Sequence, residues 1–108
     1  MIKDGNNVVV CSGKALYSLD VASGKENYEV PVAKGGVGDA ELIENHKDMV
    51  VVVGEKGVST FKLSNGELVG SGKYKTSFYD ARVDNILVMK TAGADIAAFD
   101  LNTCKYLK

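Results

Sequence analysis

Few residues of this 108-residue chain stand where chemistry would need them. Asp39 and Asp80 each open an Asp-Ala-charged stretch, Asp39-Ala40-Glu41-Leu42 and Asp80-Ala81-Arg82-Val83. If those stretches are strands lining a channel, the two carboxylates could hold a cation or a substrate. The favoured reading is a structural hydrogen bond, to a turn amide for example. Glu41 and Arg82 read as surface charges. The single histidine, His46, lies in the polar run Asn45-His46-Lys47-Asp48, which reads as a turn and offers no partner for metal binding or acid–base work. Gly35-Gly36-Val37-Gly38 has the composition of a phosphate cradle. A cradle needs a strand before it and a helix after it; here a strand follows, and the run reads as a flexible link. Cys11 and Cys104 have no CxxC spacing, so neither zinc nor redox chemistry is supported. Two free thiols are favoured over a bridge, with Cys11 a small buried hydrophobe and Cys104 the more exposed. Lys73-Tyr74-Lys75-Thr76-Ser77-Phe78-Tyr79 mixes basic and aromatic residues that could touch nucleic acid, but a strand running into a link accounts for it with less. The expectation is no catalytic, cofactor-binding or metal set, with Asp39 and Asp80 as weak channel-lining candidates.

Composition points the same way. The net charge is −1, with 45% hydrophobic and 25% charged residues, so no field draws nucleic acid or an anionic membrane. The apolar run Met49–Val53 is far too short to span a bilayer. The polar start, Met1 to Asn7, is no signal peptide. A native start there would imply the cytoplasm; a segment cut from a longer protein would imply nothing, and the repeat favours the cut.

What must position these residues is a repeat. Val8-Val9-Val10 followed by Tyr17-Ser18-Leu19-Asp20-Val21 matches Val50-Val51-Val52 followed by Ser59-Thr60-Phe61-Lys62-Leu63. Both match Ile86-Leu87-Val88 followed by Ala97-Ala98-Phe99-Asp100-Leu101. The turns that close these segments, at Gly24, Gly66 and Cys104, recur about every 40 residues. Alternation puts Leu19, Phe61 and Phe99 on one face and Asp20, Lys62 and Asp100 on the other. A slip of one residue would bury the charges. Four strands fit each unit: A near 38–43 and 78–83; B near 7–11, 48–53 and 85–89; C near 15–21, 57–63 and 95–101; D near 25–32, 67–74 and 105–108. The predicted fold is all-β, built of four-stranded antiparallel propeller blades, with about two and a half blades present. They divide as a partial blade 1–34, a blade 35–75 and a partial blade 76–108, within what reads as a fragment of a larger propeller. The turn residue is expected in the left-handed region, where glycine is at ease and Cys104 is strained by about 1–2 kcal/mol. Cys104→Gly is therefore expected to stabilise the chain.

Tyr17-Ser18-Leu19-Asp20-Val21-Ala22-Ser23-Gly24-Lys25-Glu26 and Ala98-Phe99-Asp100-Leu101-Asn102-Thr103 resemble the ALD-x-x-TGK-x-x-W repeat of the quinoprotein alcohol dehydrogenase-like (PQQ-like) propellers. The resemblance implies a seven- or eight-bladed fold in complete members. It also implies one of several roles: PQQ-dependent dehydrogenase, scaffold lipoprotein of outer-membrane barrel assembly, or uncharacterised bacterial propeller. An extracytoplasmic location is implied by the resemblance alone. The family's docking tryptophan, four residues past the turn glycine, is here Tyr28, Gly70 and Lys108. The adjacent cysteines that sit against the quinone in some of these dehydrogenases are missing.

The function expected is a non-catalytic scaffold for protein interaction or ligand binding. A blade segment of a PQQ-dependent dehydrogenase is one alternative, and the sensor propeller of a larger signalling protein is another. The expected partners are proteins, not nucleic acid. Exposed blade edges offer a route to self-association.

Overall fold

In a computed structural model the described residues are 1–12, 14–54, 56–73, 77–91 and 96–107; of residues 41, 73, 77–82 and 89–91 the backbone alone is described. Among the described residues twelve strands form three four-stranded antiparallel sheets, each ordered as in the sequence. The first holds β1 (Ile2–Asp4), β2 (Asn7–Cys11), β3 (Ala15–Asp20) and β4 (Glu26–Pro31). The second holds β5 (Ala40–His46), β6 (Met49–Gly54), β7 (Gly57–Lys62) and β8 (Leu68–Lys73). The third holds β9 (Ser77–Val83), β10 (Ile86–Thr91), β11 (Ile96–Asp100) and β12 (Lys105–Tyr106).

The register bears out the repeat as read from strand C and moves strand B of the third unit by one residue, from Ile86 to Leu87. Val8 pairs with Leu19, Val50 with Phe61 and Leu87 with Phe99, so these three pairs are equivalent. The turns repeat with them. Gly24, Gly66 and Cys104 have φ of 73°, 75° and 56°. Each donates its amide to the carbonyl four residues back, at 2.7–2.8 Å, on Asp20, Lys62 and Asp100. The sequence reading missed a second tie. The A–B hairpins turn at left-handed Gly5, Lys47 and Asp84. The next residue in each accepts a 2.8 Å hydrogen bond from the end of strand C: Val21 to Asn6, Leu63 to Asp48, and Leu101 to Asn85.

Three expectations need correction. The first unit does not open at its second strand: β1 supplies a short innermost strand, paired Ile2 to Val9 and Asp4 to Asn7. Three residues of mixed polarity leave too little periodicity to be read as a strand. The 45–48 run is not all turn, since His46 ends β5 and pairs with Met49. The glycine-rich connection is not loose. Val32–Gly35 form a 3₁₀ turn, and Val32 and Val37 are buried.

The sheets stack face to face around two cores. Val9, Leu16, Val30 and Val32 of the first sheet and its connection meet Val50, Val52 and Phe61 of the second. Val51, Val53 and Val58 on the other side of the second sheet meet Leu87, Ala97, Phe99 and Leu101 of the third. The second sheet is apolar on both faces because it is covered on both.

Candidate functional site

Strands that run antiparallel in order put the B–C hairpins and the D–A connections at one end of the stack. At the first joint these elements form an open cleft of about 340 Å³, lined by Lys14, Val32, Ala33, Gly36, Gly38, Asp39 and Lys56. Its backbone is pinned. The Val32 amide donates to the Lys14 carbonyl at 2.9 Å, and the Lys56 amide to the Val37 carbonyl at 2.8 Å. The 3₁₀ turn ends at left-handed Gly36, whose amide returns to Ala33 at 3.0 Å. Lys14 Nζ lies 3.4 Å from Asp39 Oδ1, with both side chains largely in solvent. Such a pair is weak, so both charges remain available to a ligand.

Asp39 is thus placed at a rim, just before β5, and its partner is an ammonium group rather than a turn amide. Asp80 is not its equivalent. By register Ala40, paired with Gly54, matches Ser77, paired with Thr91, so Asp39 stands one position before that point, whereas Asp80 is three positions past it, skipped at the register shift between Tyr79, paired with Met89, and Ala81, paired with Val88. β5 and β9 are both seven residues long, and the four-letter likeness is simply out of step with their register. The side chains of Asp80, Glu41 and Arg82 lie outside the described residues, as do Tyr74, Lys75 and Thr76 of the basic–aromatic run.

The other singled-out residues belong to the joints. His46 is 4% exposed, and its Nε2 lies 3.1 Å from Asn102 Oδ1, tying the second sheet to the third. Cys11 and Cys104 are not joined in a disulfide, and both are half-buried. Cys104 Sγ lies 3.2 Å from Thr60 Oγ1 of the second sheet. Tyr28 donates its hydroxyl to the Leu63 carbonyl of the next sheet at 3.0 Å; burial first, then the charge of Asp4, pushes its phenol up. Among the described residues no group of three His, Cys, Asp or Glu could hold a metal ion. None of their helices is long and apolar enough to cross a membrane. The sequence reading missed the cleft: Lys14 and Lys56 are ordinary hairpin lysines, and only the joint brings them beside Asp39.

No family model matches the chain, and no curated protein matches it. Solved structures do. The computationally designed protein Ika8 superposes with TM-score 0.74 at 20% identity, over 99% of this chain and 34% of its own. The designed Ika4 superposes with TM-score 0.74 at 19% identity, over 98% and 67%. The N-terminal domain of Nup159 superposes with TM-score 0.67 at 21% identity, over 94% and 30%. The likeness is one of fold, that of a β-propeller segment. The chain spans about a third of the length of Ika8 and of the Nup159 domain.

Proposed function

We propose that the chain is a non-catalytic part of a β-propeller that serves as an interaction scaffold, and that the rim cleft at its first joint takes a protein segment. The observation that carries this is the cleft itself, where two ammonium groups and one carboxylate sit on a backbone fixed by hydrogen bonds. Lys14 and Lys56 suit a carboxylate on the partner, and Asp39 suits a basic group beside it. Rim loops on a rigid stack are where a propeller can vary its contacts without disturbing its core. We also propose that the repeat is of the quinoprotein type. In support, Tyr28 occupies the position of the family's docking tryptophan and packs on the next sheet, against Gly66.

The test is affinity capture with the wild-type chain and with Lys14→Glu/Lys56→Glu as baits. The expected result is a protein captured by the wild type, lost from the double variant and weakened by salt. Equal capture by both baits, or recovery of small molecules alone, would overturn the reading.

A further inference from the structure

Asn65 is the only asparagine of this chain that is followed by glycine. In such a pair the glycine's own backbone nitrogen can attack the side-chain amide, because no side chain on the glycine stands in the way. Asn65 lies in the C–D turn of the second sheet, exposed to water. The Glu67 amide donates to its Oδ1 at 2.9 Å. Charge builds on that oxygen when a nucleophile adds to Cγ, so the donor stands where it favours the addition. The same turn restrains the nucleophile. The Gly66 amide is bonded to the Lys62 carbonyl at 2.8 Å, and Gly66 is buried beneath the first sheet. A Cβ placed on it would lie 2.5 Å from Val30 Cγ2 and 2.7 Å from Tyr28 Cδ1. The Tyr28 hydroxyl holds the two sheets together through the Leu63 carbonyl, at 3.0 Å. The equivalent turns offer no amide to lose: Ser23 precedes Gly24, and Thr103 precedes Cys104. Ser23 Oγ accepts the same kind of bond, from the Lys25 amide at 3.2 Å.

We propose that Asn65 is a site of spontaneous deamidation, and that the packing of the first joint gates it. When the joint opens, the Gly66 nitrogen leaves the Lys62 carbonyl, loses its proton to hydroxide and bonds to Asn65 Cγ. The Cγ–Nδ2 bond breaks and ammonia departs, which leaves a cyclic succinimide. Water then opens the ring. Attack at one carbonyl gives aspartate; attack at the other gives isoaspartate, whose main chain runs through Cβ and is longer by a methylene. Nothing is oxidised or reduced. The joint has no room for the longer turn, since a single added carbon at Gly66 already collides with Val30 and Tyr28. The isoaspartate form therefore cannot keep both the turn and the joint, and the modification releases the first sheet from the second. This inference is independent of the rim cleft and uses none of its residues.

Incubation of the full chain in mildly alkaline buffer tests it. Isoaspartate is read by methyl transfer from S-adenosylmethionine with an isoaspartyl methyltransferase, and is located by peptide mass mapping. The expected result is isoaspartate at residue 65 in the wild type and none there in Asn65→Ser, which takes the residue of the equivalent turn. Tyr28→Phe keeps the ring and loses the bond to Leu63. It should convert roughly twofold to tenfold faster, the factor that one hydrogen bond sets. Converted wild-type chain should unfold at lower urea than unconverted chain. No isoaspartate at residue 65 in the folded chain, over a time in which the urea-unfolded chain converts fully, would overturn the site. An unchanged rate in Tyr28→Phe would overturn the gate, and an unchanged urea midpoint would refute release of the joint.

Discussion

Gly24 and Gly66 provide an internal control for the packing between sheets. Both close a C–D turn, with φ of 73° and 75°. Alanine at either position carries the same left-handed strain, about 1–2 kcal/mol. Only at Gly66 would the new methyl meet a neighbouring sheet, at 2.5 Å from Val30 and 2.7 Å from Tyr28. Overpacking of this kind costs about 1–3 kcal/mol more. Gly24→Ala should therefore lose about 1–2 kcal/mol and Gly66→Ala about 2–5 kcal/mol, by the sum of those two effects. Urea denaturation reads this as a larger fall in midpoint for Gly66→Ala at an unchanged slope. A further variant isolates the cause: Tyr28→Ala opens space for the methyl, so Gly66→Ala should cost less in that background, a coupling of about 0.5–3 kcal/mol. Equal losses at Gly24 and Gly66, or no coupling to Tyr28, would refute the joint as described.

Two further outcomes follow from the third sheet. Cys104 has φ 56° and packs its thiol against Gly70 and Thr60. Cys104→Gly therefore relieves strain but opens a hole. The net change in stability should stay within about 1 kcal/mol, and Cys104→Ala should fall below Cys104→Gly by about 1–2 kcal/mol because it keeps the strain without the sulfur; chemical denaturation orders the three. The Asn102 amide first, then the Asn85 side chain, holds the Asp100 carboxyl below its ordinary range. A lowered carboxylate stabilises the fold above its unfolded value and loses that effect as pH falls through the lowered one. Asp100→Asn should thus flatten the loss of stability between about pH 5 and about pH 2, as read by thermal melts across that range.

Strands B and C were legible because hydrophobic alternation and the left-handed turn act within one unit. Leu19, Phe61 and Phe99 announce a face, and Asp20, Lys62 and Asp100 fix its register. The innermost strands were less so. The short β1 offers little pattern, and a four-letter likeness out of step with the register made Asp80 look like a partner of Asp39. His46 was read as part of a turn because its partner, Asn102, lies on the next sheet, 56 residues away. The cleft was out of reach for the same reason: Lys14, Asp39 and Lys56 meet only once two sheets have stacked.

The missing tryptophan and the misplaced cysteine share one explanation, which no single unit contains. At the first joint the bulk comes from the preceding sheet: Tyr28 and Val30 of β4 lie over Gly66. At the second joint it comes from the following sheet. Gly70 and Gly72 of β8 leave the space, and Cys104 and Tyr106 fill it, with the Tyr106 hydroxyl bonded to the Gly72 carbonyl at 3.1 Å and its ring 4.9 Å from that of Phe99. Tyr28 and Gly70 are equivalent positions, as are Gly66 and Cys104, so the large and small partners have exchanged sides. A glycine at 104 would satisfy the turn and empty the joint. A close-packed interface tolerates the strained cysteine because the volume it supplies is needed there. The quantity held roughly constant is the sum across a joint, and that is why repeats compared one unit at a time appear to break their own rule.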